Sequence, residues 1–175
     1  MKSAADSLKT HIGNLFSVFD KEWDKLTEEE TAKYRKEAED EVTGFVNDYN
    51  TLITTLTKEN DYAGSAYLNQ IKNYVQGSES ILKEAGITRK SDGTLSVDSD
   101  LLKKANTATL QEIFGKDSSF AVKMKERAEN ISTNAQTNLA LLNNSLYSGN
   151  YSYNKSGTDI FDILTGGSGS YNAKG

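Results

Sequence analysis

The sequence has no cysteine, no proline and a single histidine in 175 residues. The lack of cysteine excludes disulfides, thiolate nucleophiles and cysteine metal sites, and it leaves the redox compartment open. The single imidazole, His11, builds neither a metal site nor a catalytic triad by itself, so we expect it in a packing or partly exposed role. Without proline nothing interrupts long helices, and breaks must come from Gly, Asn, Asp and Ser.

Strong charge of either sign and long apolar runs are also missing. The net charge is -5, with Lys and Arg interleaved among Glu and Asp, so no basic face exists to collect phosphates and we expect no nucleic-acid partner. Polar residues interrupt every apolar run in residues 1–19, which predicts neither a signal-peptide core nor a membrane span there. If the protein leaves the cell, we expect a route without a cleavable signal peptide.

None of the polar motifs predicts an active site. Carboxylates at residues 28–30 and 37–41 have lysines and arginines one helical turn away, as solvated helix faces do. Residues 92–100 lack the alternating oxygen ligands and final glutamate of a calcium loop, and a turn followed by a helix cap explains them. The glycines at residues 166–169 lack the helix and lysine of a phosphate loop. We therefore expect no enzymatic activity, no cofactor and no metal.

Apolar residues recur every three or four positions, which predicts long amphipathic helices. A first helix is predicted over about residues 4–26, with Trp23 on its apolar stripe. Thr27 followed by Glu30 forms a capping-box pattern, which predicts that a second helix starts there and runs to about residue 58. Its apolar positions approach the pattern of a coiled-coil seam and are Tyr34, Ala38, Val42, Phe45, Tyr49, Leu52 and Leu56.

The second half of the chain predicts shorter elements. A third helix is capped by Ser65 and kinks or splits near Gly77. Two short extended runs, residues 87–89 and 94–97, flank Asp92-Gly93, a strong signal for a hairpin turn. Asp98 or Ser99 then caps a short helix, another begins at Thr107, and a last long helix covers about residues 118–144.

These elements predict an all-α fold, an elongated bundle of long antiparallel helices with one small β-hairpin near residues 86–97. The bundle domain is predicted to span residues 1–146. A flexible tail rich in Gly, Ser and Tyr is predicted over residues 147–175, with one docked helical turn at 159–164. Tyrosine favours protein interfaces, so Tyr147, Tyr151 and Tyr153 are candidate partner contacts, and the alternative is a plain disordered tail.

An ordered set of short motifs lies within this pattern: Phe45-Val46-Asn47-Asp48-Tyr49-Asn50, then Gly86-Ile87, Asp92-Gly93-Thr94-Leu95 and Leu101-Leu102, and finally Leu110 to Gly115. The set resembles the C-terminal helical region of the bacterial flagellar filament-capping (hook-associated) proteins. The resemblance implies a structural role for ten residues. They are the helix-core positions Phe45, Tyr49 and Leu52, the hairpin positions Gly86, Ile87, Asp92, Gly93 and Leu95, and the positions Leu101 and Phe114 in the helices that follow.

The resemblance implies a structural or assembly protein that acts by protein–protein packing. Its implied partners are flagellin or other flagellar axial proteins, with homo-oligomer formation, and its implied location is the bacterial flagellum outside the cell. The family's proteins are longer and end in long terminal helices, where this chain has a Gly/Ser/Tyr tail. The alternative function is a cytoplasmic helical adaptor or export chaperone with the same architecture.

Overall fold

Helices and one hairpin form the part of the chain that the computed structural model describes, residues 1–59 and 62–147. The elements are α1 (Lys2–Phe19), a 3₁₀ turn (Trp23–Lys25), α2 (Glu28–Glu59), α3 (Tyr62–Gly77), α4 (Glu79–Glu84), β1 (Ile87–Arg89), β2 (Leu95–Val97), α5 (Ser99–Lys104), α6 (Thr107–Phe114) and α7 (Ser119–Tyr147). The predicted fold class, all-α with one small β-hairpin, is confirmed.

The chain divides into one compact unit, Met1–Thr137, and a second unit, Asn138–Gly175. In the second unit the described residues are the last turns of α7, which end at Tyr147. The predicted tail beyond that residue, with its docked turn at 159–164, lies outside the described residues. The predicted domain boundary after residue 146 stays a prediction.

The first helix ends at Phe19 rather than near residue 26. Its last turn is held by tertiary contacts that the stripe of apolar residues does not reveal. The Phe19 carbonyl accepts a hydrogen bond from Gln111 Nε2 at 3.1 Å, and Asp20 pairs with Lys116. The chain then turns, and the Trp23 ring stacks on Phe19 with centroids 6.0 Å apart.

The capping box before α2 and the break after α3 are confirmed as predicted, whereas the predicted start of α3 is wrong. Glu30 N–H donates to Thr27 Oγ1 at 3.2 Å, and Thr27 N–H donates to Glu30 Oε2 at 2.9 Å, which is the predicted capping box. A break at Ser78 separates α3 from α4, as predicted. The third helix starts at Tyr62, before the predicted cap Ser65, because a first helical turn tolerates small residues and no proline stops it.

Helix α1 lies antiparallel on α2. The amino group of Met1 is 3.6 Å from the Glu59 carboxylate at one end, and His11 reaches Glu41 further along. Helix α7 also runs antiparallel to α1, since Ser132 Oγ donates to Asp6 Oδ1 at 2.6 Å while Lys125 lies over the ring of Phe16, 5.0 Å from its centroid.

The core is built around the apolar stripe of α2. The predicted stripe is fully buried from its second member onwards, and Val46 and Ile53 widen it, so that the buried residues are Ala38, Val42, Phe45, Val46, Tyr49, Leu52, Ile53 and Leu56. The Phe45 ring meets the edges of Phe114 and Phe120 at centroid distances of 5.2 and 6.0 Å. This aromatic cluster joins α2 to α6 and α7.

Replacing Phe45 with alanine should lower the free energy of unfolding by about 3–5 kcal/mol. The substitution removes a fully buried ring and leaves a cavity beside the rings of Phe114 and Phe120. The matched control is Phe16→Ala, which removes a ring that is only partly buried. Urea unfolding followed by circular dichroism measures both. An equal loss in the two variants would contradict the assignment of Phe45 to the centre of the core.

Candidate functional site

The motifs that carry the resemblance meet in one contact between α2 and the hairpin. Tyr49 Oη donates a hydrogen bond to the Gly93 carbonyl at 2.9 Å. Asn50 Nδ2 donates to the Leu95 carbonyl at 2.8 Å, and Leu95 N–H donates to Asn50 Oδ1 at 2.7 Å. The Asn50 amide therefore pairs with the outer edge of β2 as a neighbouring strand would. We call these four residues the helix–hairpin contact.

Burial reinforces this contact. Tyr49 is fully buried, and burial raises the pKa of its hydroxyl, so the group keeps its proton and acts as a donor. The side chain of Leu95, whose backbone pairs with Asn50, is buried as well. A buried hydroxyl and a half-buried amide need partners, and the hairpin backbone supplies them.

The hairpin loop depends on Asp92 and Gly93. Gly93 has φ +90, and its N–H donates to the Lys90 carbonyl at 3.0 Å, while Lys90 N–H donates to the Thr94 carbonyl at 2.8 Å. Asp92 Oδ1 accepts from Thr94 N–H at 2.8 Å and from its hydroxyl. These bonds hold the pKa of the exposed Asp92 carboxyl below its ordinary value. The loop is the three-residue type that needs a left-handed residue.

Gly86 connects α4 to the hairpin at φ +76. Its carbonyl accepts from Asp98 N–H at 2.8 Å, and a Cβ there would lie 2.8 Å from the Cβ of Leu101 and 2.9 Å from the Asp98 carbonyl oxygen. Glycine is therefore needed both for its conformation and for the close approach of α5.

The other predicted motif residues lie at separate places around this contact. Phe45, Leu52, Ile87 and Phe114 are buried in the core. Leu101 is half exposed, at 50%, and lies beside Gly86 on the outside of α5. Tyr147 ends α7, and its side chain, like Tyr151 and Tyr153, lies outside what the structure describes. The partner-contact role of these tyrosines stays a prediction.

Arg35 ties α2 to the segment between α5 and α6. Its Nη2 donates to the Leu102 and Ala105 carbonyls at 2.7 and 2.6 Å, its Nη1 donates to Thr107 Oγ1 at 3.3 Å, and Glu39 lies 3.3 Å from its Nε. The guanidinium therefore adds hydrogen bonds to carbonyls at and just after the end of α5, where the helix supplies few donors.

His11 lies half-buried between two carboxylates of α2. Its Nδ1 is 2.6 Å from Glu41 Oε2, and its Nε2 is 3.3 Å from Asp48 Oδ2. Asn14 Nδ2 also donates to Glu41. Glu41 was expected on a solvated helix face, but it lies at the α1–α2 interface because the antiparallel pairing brings His11 over it.

An open groove of about 580 Å³ lies where α1 ends beside α6. Its rim carries Lys21 and Lys116 together with Asp20 and Glu112, and Asp20 raises the pKa of the Lys116 amine by a side-chain hydrogen bond. Charges of both signs therefore surround the groove, and Lys116 is paired with Asp20 while Lys21 lies over the ring of Tyr34.

Three residues that take part in these contacts, Asn50, Gly44 and Arg35, were missed as site residues from the sequence alone. Asn50 stands in the middle of a long helix, where asparagine is unfavourable, and that is a signal for a specific side-chain hydrogen bond. Gly44 in the same helix signals a close approach, and the structure places the His11 ring on it. Arg35 gives no such signal, since a helix surface accepts arginine anywhere.

Replacing Asn50 with alanine should lower the free energy of unfolding by about 1–3 kcal/mol, because the Leu95 N–H and carbonyl both lose their partner. Asn47→Ala is the matched control, one turn earlier on the exposed side of α2, and it should change stability by less than about 0.5 kcal/mol. Urea unfolding gives both values, and faster amide exchange at Leu95 localises the effect. Equal losses in the two variants would refute the role of Asn50.

Among the described residues, no group of three or more His, Cys, Asp or Glu side chains is placed to hold a metal ion. In the same part of the chain, every helix is too short or too polar to cross a membrane. The chain matches no known protein family, and it has no significant match among curated proteins or solved structures.

Proposed function

We propose that this protein is a structural or assembly component that resembles the helical domain of flagellar filament-capping proteins, and that it acts by packing against other proteins and not as an enzyme. The observation that supports the proposal is the helix–hairpin contact. Tyr49 and Asn50 come from the helical motif of the resemblance, and Gly93 and Leu95 come from its hairpin motif.

Direct bonding between the two motifs supports the resemblance for a physical reason. Independent short motifs that match by chance have no cause to meet, whereas motifs retained for one fold unit are expected to touch. Here the side chains of the consecutive residues Tyr49 and Asn50 on α2 bond to the hairpin backbone over separations of 44 and 45 residues along the chain. The motif is therefore one physical unit, a long helix carrying a docked hairpin.

The unit is suited to presenting a fixed surface. A two-stranded hairpin alone is marginally stable in water. Here α2 bonds to its backbone, and the Asp98 N–H, just after β2, bonds to the Gly86 carbonyl just before β1. Among the described residues, Leu101 is the large apolar side chain left half exposed, and it lies beside this unit. In this proposal Leu101 and the tail tyrosines contact the partner.

The proposed partners are flagellin or other flagellar axial proteins, with further copies of this chain as a second kind of contact. The proposed location is the bacterial flagellum, reached by export without a cleavable signal peptide. The alternative, a cytoplasmic helical adaptor or export chaperone, uses the same surfaces and differs in its partner, an unfolded export substrate instead of assembled flagellin.

The full chain should bind flagellin from its own organism, and light scattering should show whether it forms an oligomer. Titration against flagellin filaments and against unfolded flagellin monomers separates the two functions. Saturable binding to filaments supports the assembly function, whereas binding to unfolded monomers alone supports the chaperone. Absence of both interactions in a monomeric protein would reject the flagellar proposal.

The double variant Tyr151→Ser/Tyr153→Ser should weaken filament binding about tenfold or more, because aromatic side chains are frequent energetic centres of interfaces. The matched control is Ser152→Ala, which changes the residue between them and should leave the affinity unchanged. Leu101→Ser tests the contact beside the hairpin in the same assay. Unchanged affinity in the double variant would exclude the two tyrosines as contacts.

A further inference from the structure

A slot on α2 receives the His11 ring. Gly44 forms the floor of the slot, where a Cβ atom would lie only 2.7 Å from both ring nitrogens. Glu41 and Asp48 stand on either side of the floor, one helical turn before and after it. A larger residue at position 44 would expel the ring, so the glycine and the two carboxylates together define a seat for one imidazole.

Each nitrogen of the ring faces a different carboxylate. The Nδ1 atom is 2.6 Å from Glu41 Oε2, which is hydrogen-bond distance, and Nε2 is 3.3 Å from Asp48 Oδ2, which is within ion-pair distance. Asp48 Oδ2 is buried and accepts no hydrogen bond, so its contact with the ring is an electrostatic one. A protonated imidazole carries a hydrogen on both nitrogens, whereas a neutral one carries a hydrogen on one and a lone pair on the other.

We propose that His11, Glu41, Asp48 and Gly44 form a proton-dependent clasp that fastens α1 to α2 and loosens when the imidazole loses its proton. With the proton bound, the ring attracts both carboxylates. Without it, one carboxylate faces a lone pair at short range in a half-buried place, and the pairing of the two helices weakens.

The surroundings offer the ring no other charge to replace these partners. Among the described residues, Glu41 and Asp48 are the charged groups within ion-pair distance of it, and both belong to α2. On α1 the neighbour is the neutral amide of Asn14, which donates to Glu41. Helix α7 contacts α1 at Asp6, through Ser132, and Asp6 is held ionised by Lys2, which lowers its pKa.

The sign of the pH dependence follows from which form the seat favours. A ring with a hydrogen on both nitrogens can bond or pair with both carboxylates, and a neutral ring with only one. The proposed clasp is therefore made at acid pH and loosens as the pH rises. Burial raises the pKa of the Asp48 carboxyl, against the opposing charge of His11. An ionised Asp48 without a cation beside it therefore destabilises the folded chain. Loss of the proton from His11 lowers stability for this reason as well.

The test is urea unfolding of the full chain between pH 5.5 and 7.5. The terminal amine of Met1, which pairs with Glu59, begins to titrate at the upper end of this range, and it is the same in His11→Gln, so the difference between the two proteins reports the imidazole. The unfolding equilibrium constant of the unchanged protein should rise about three- to tenfold over this interval, as expected for one charge-assisted hydrogen bond discounted for partial exposure. His11→Gln should remove this rise. It is the only histidine in the chain, so no other imidazole contributes.

Gly44→Ala and Gly13→Ala form a matched pair. Comparing them separates displacement of the His11 ring from a general effect of replacing a helical glycine. Both replace a glycine inside a helix and should gain similar helix propensity. A Cβ at position 44 displaces the ring, whereas a Cβ at position 13 meets nothing within 4 Å. Gly44→Ala should abolish the pH dependence while remaining folded, and Gly13→Ala should keep it.

Hydrogen exchange in α1 gives a second readout at the clasp itself. After correction for intrinsic rates, amide protection near Ile12 should fall between pH 5.5 and 7.5 in the unchanged protein and stay constant in His11→Gln. The proposal is overturned if the unchanged protein and His11→Gln show the same pH dependence. It is equally overturned if Gly44→Ala retains the dependence, because the ring then acts without its seat.

Discussion

The compact unit depends on the packing of its other elements against α2. This helix has 32 residues, and different stretches of it contact α1, the hairpin, the α5–α6 connection and the aromatic ring of α7. Its buried stripe supplies the apolar contacts, while Arg35 and Asn50 at its flanks supply polar ones. Since hydrophobic burial has no direction, the stripe brings the elements together and the polar side chains fix their register.

The hairpin shows why the polar contacts are needed. It consists of two strands of three residues each, and so small a sheet buries too little surface to be stable alone. It persists because its inner side chains, Ile87 and Leu95, enter the core and because Tyr49 and Asn50 pair with its backbone. These bonds fix the position of the hairpin on the helix beneath it.

The clasp at His11 differs from the hairpin contact because its polar groups are charged and partly exposed to solvent. Its carboxylates and imidazole are half-buried, so their interaction is stronger than on an open surface, yet solvent protons can still reach them. The bond is made between two helices that already pack tightly by apolar contacts on the neighbouring face. Such an arrangement lets a change in pH adjust the strength of one helix pairing without dissolving the core that carries the proposed interaction surface.

The sequence by itself determined the helices, their approximate order and the hairpin. Periodic apolar residues, the Thr27–Glu30 capping box and the Asp92-Gly93 turn are local signals, and each depends only on neighbours along the chain. The stripe of α2 was predicted residue by residue because helical geometry alone places those side chains on one face.

Only the tertiary structure decided where α1 ends and which polar residues meet. Phe19 closes its helix because Gln111 caps its carbonyl, although the two residues are far apart in sequence. The pairing of His11 with Glu41 and Asp48, and of Asn50 with Leu95, likewise depends on the register between elements. That register is set by the fit of side chains across an interface, which leaves no mark in the local pattern of either segment.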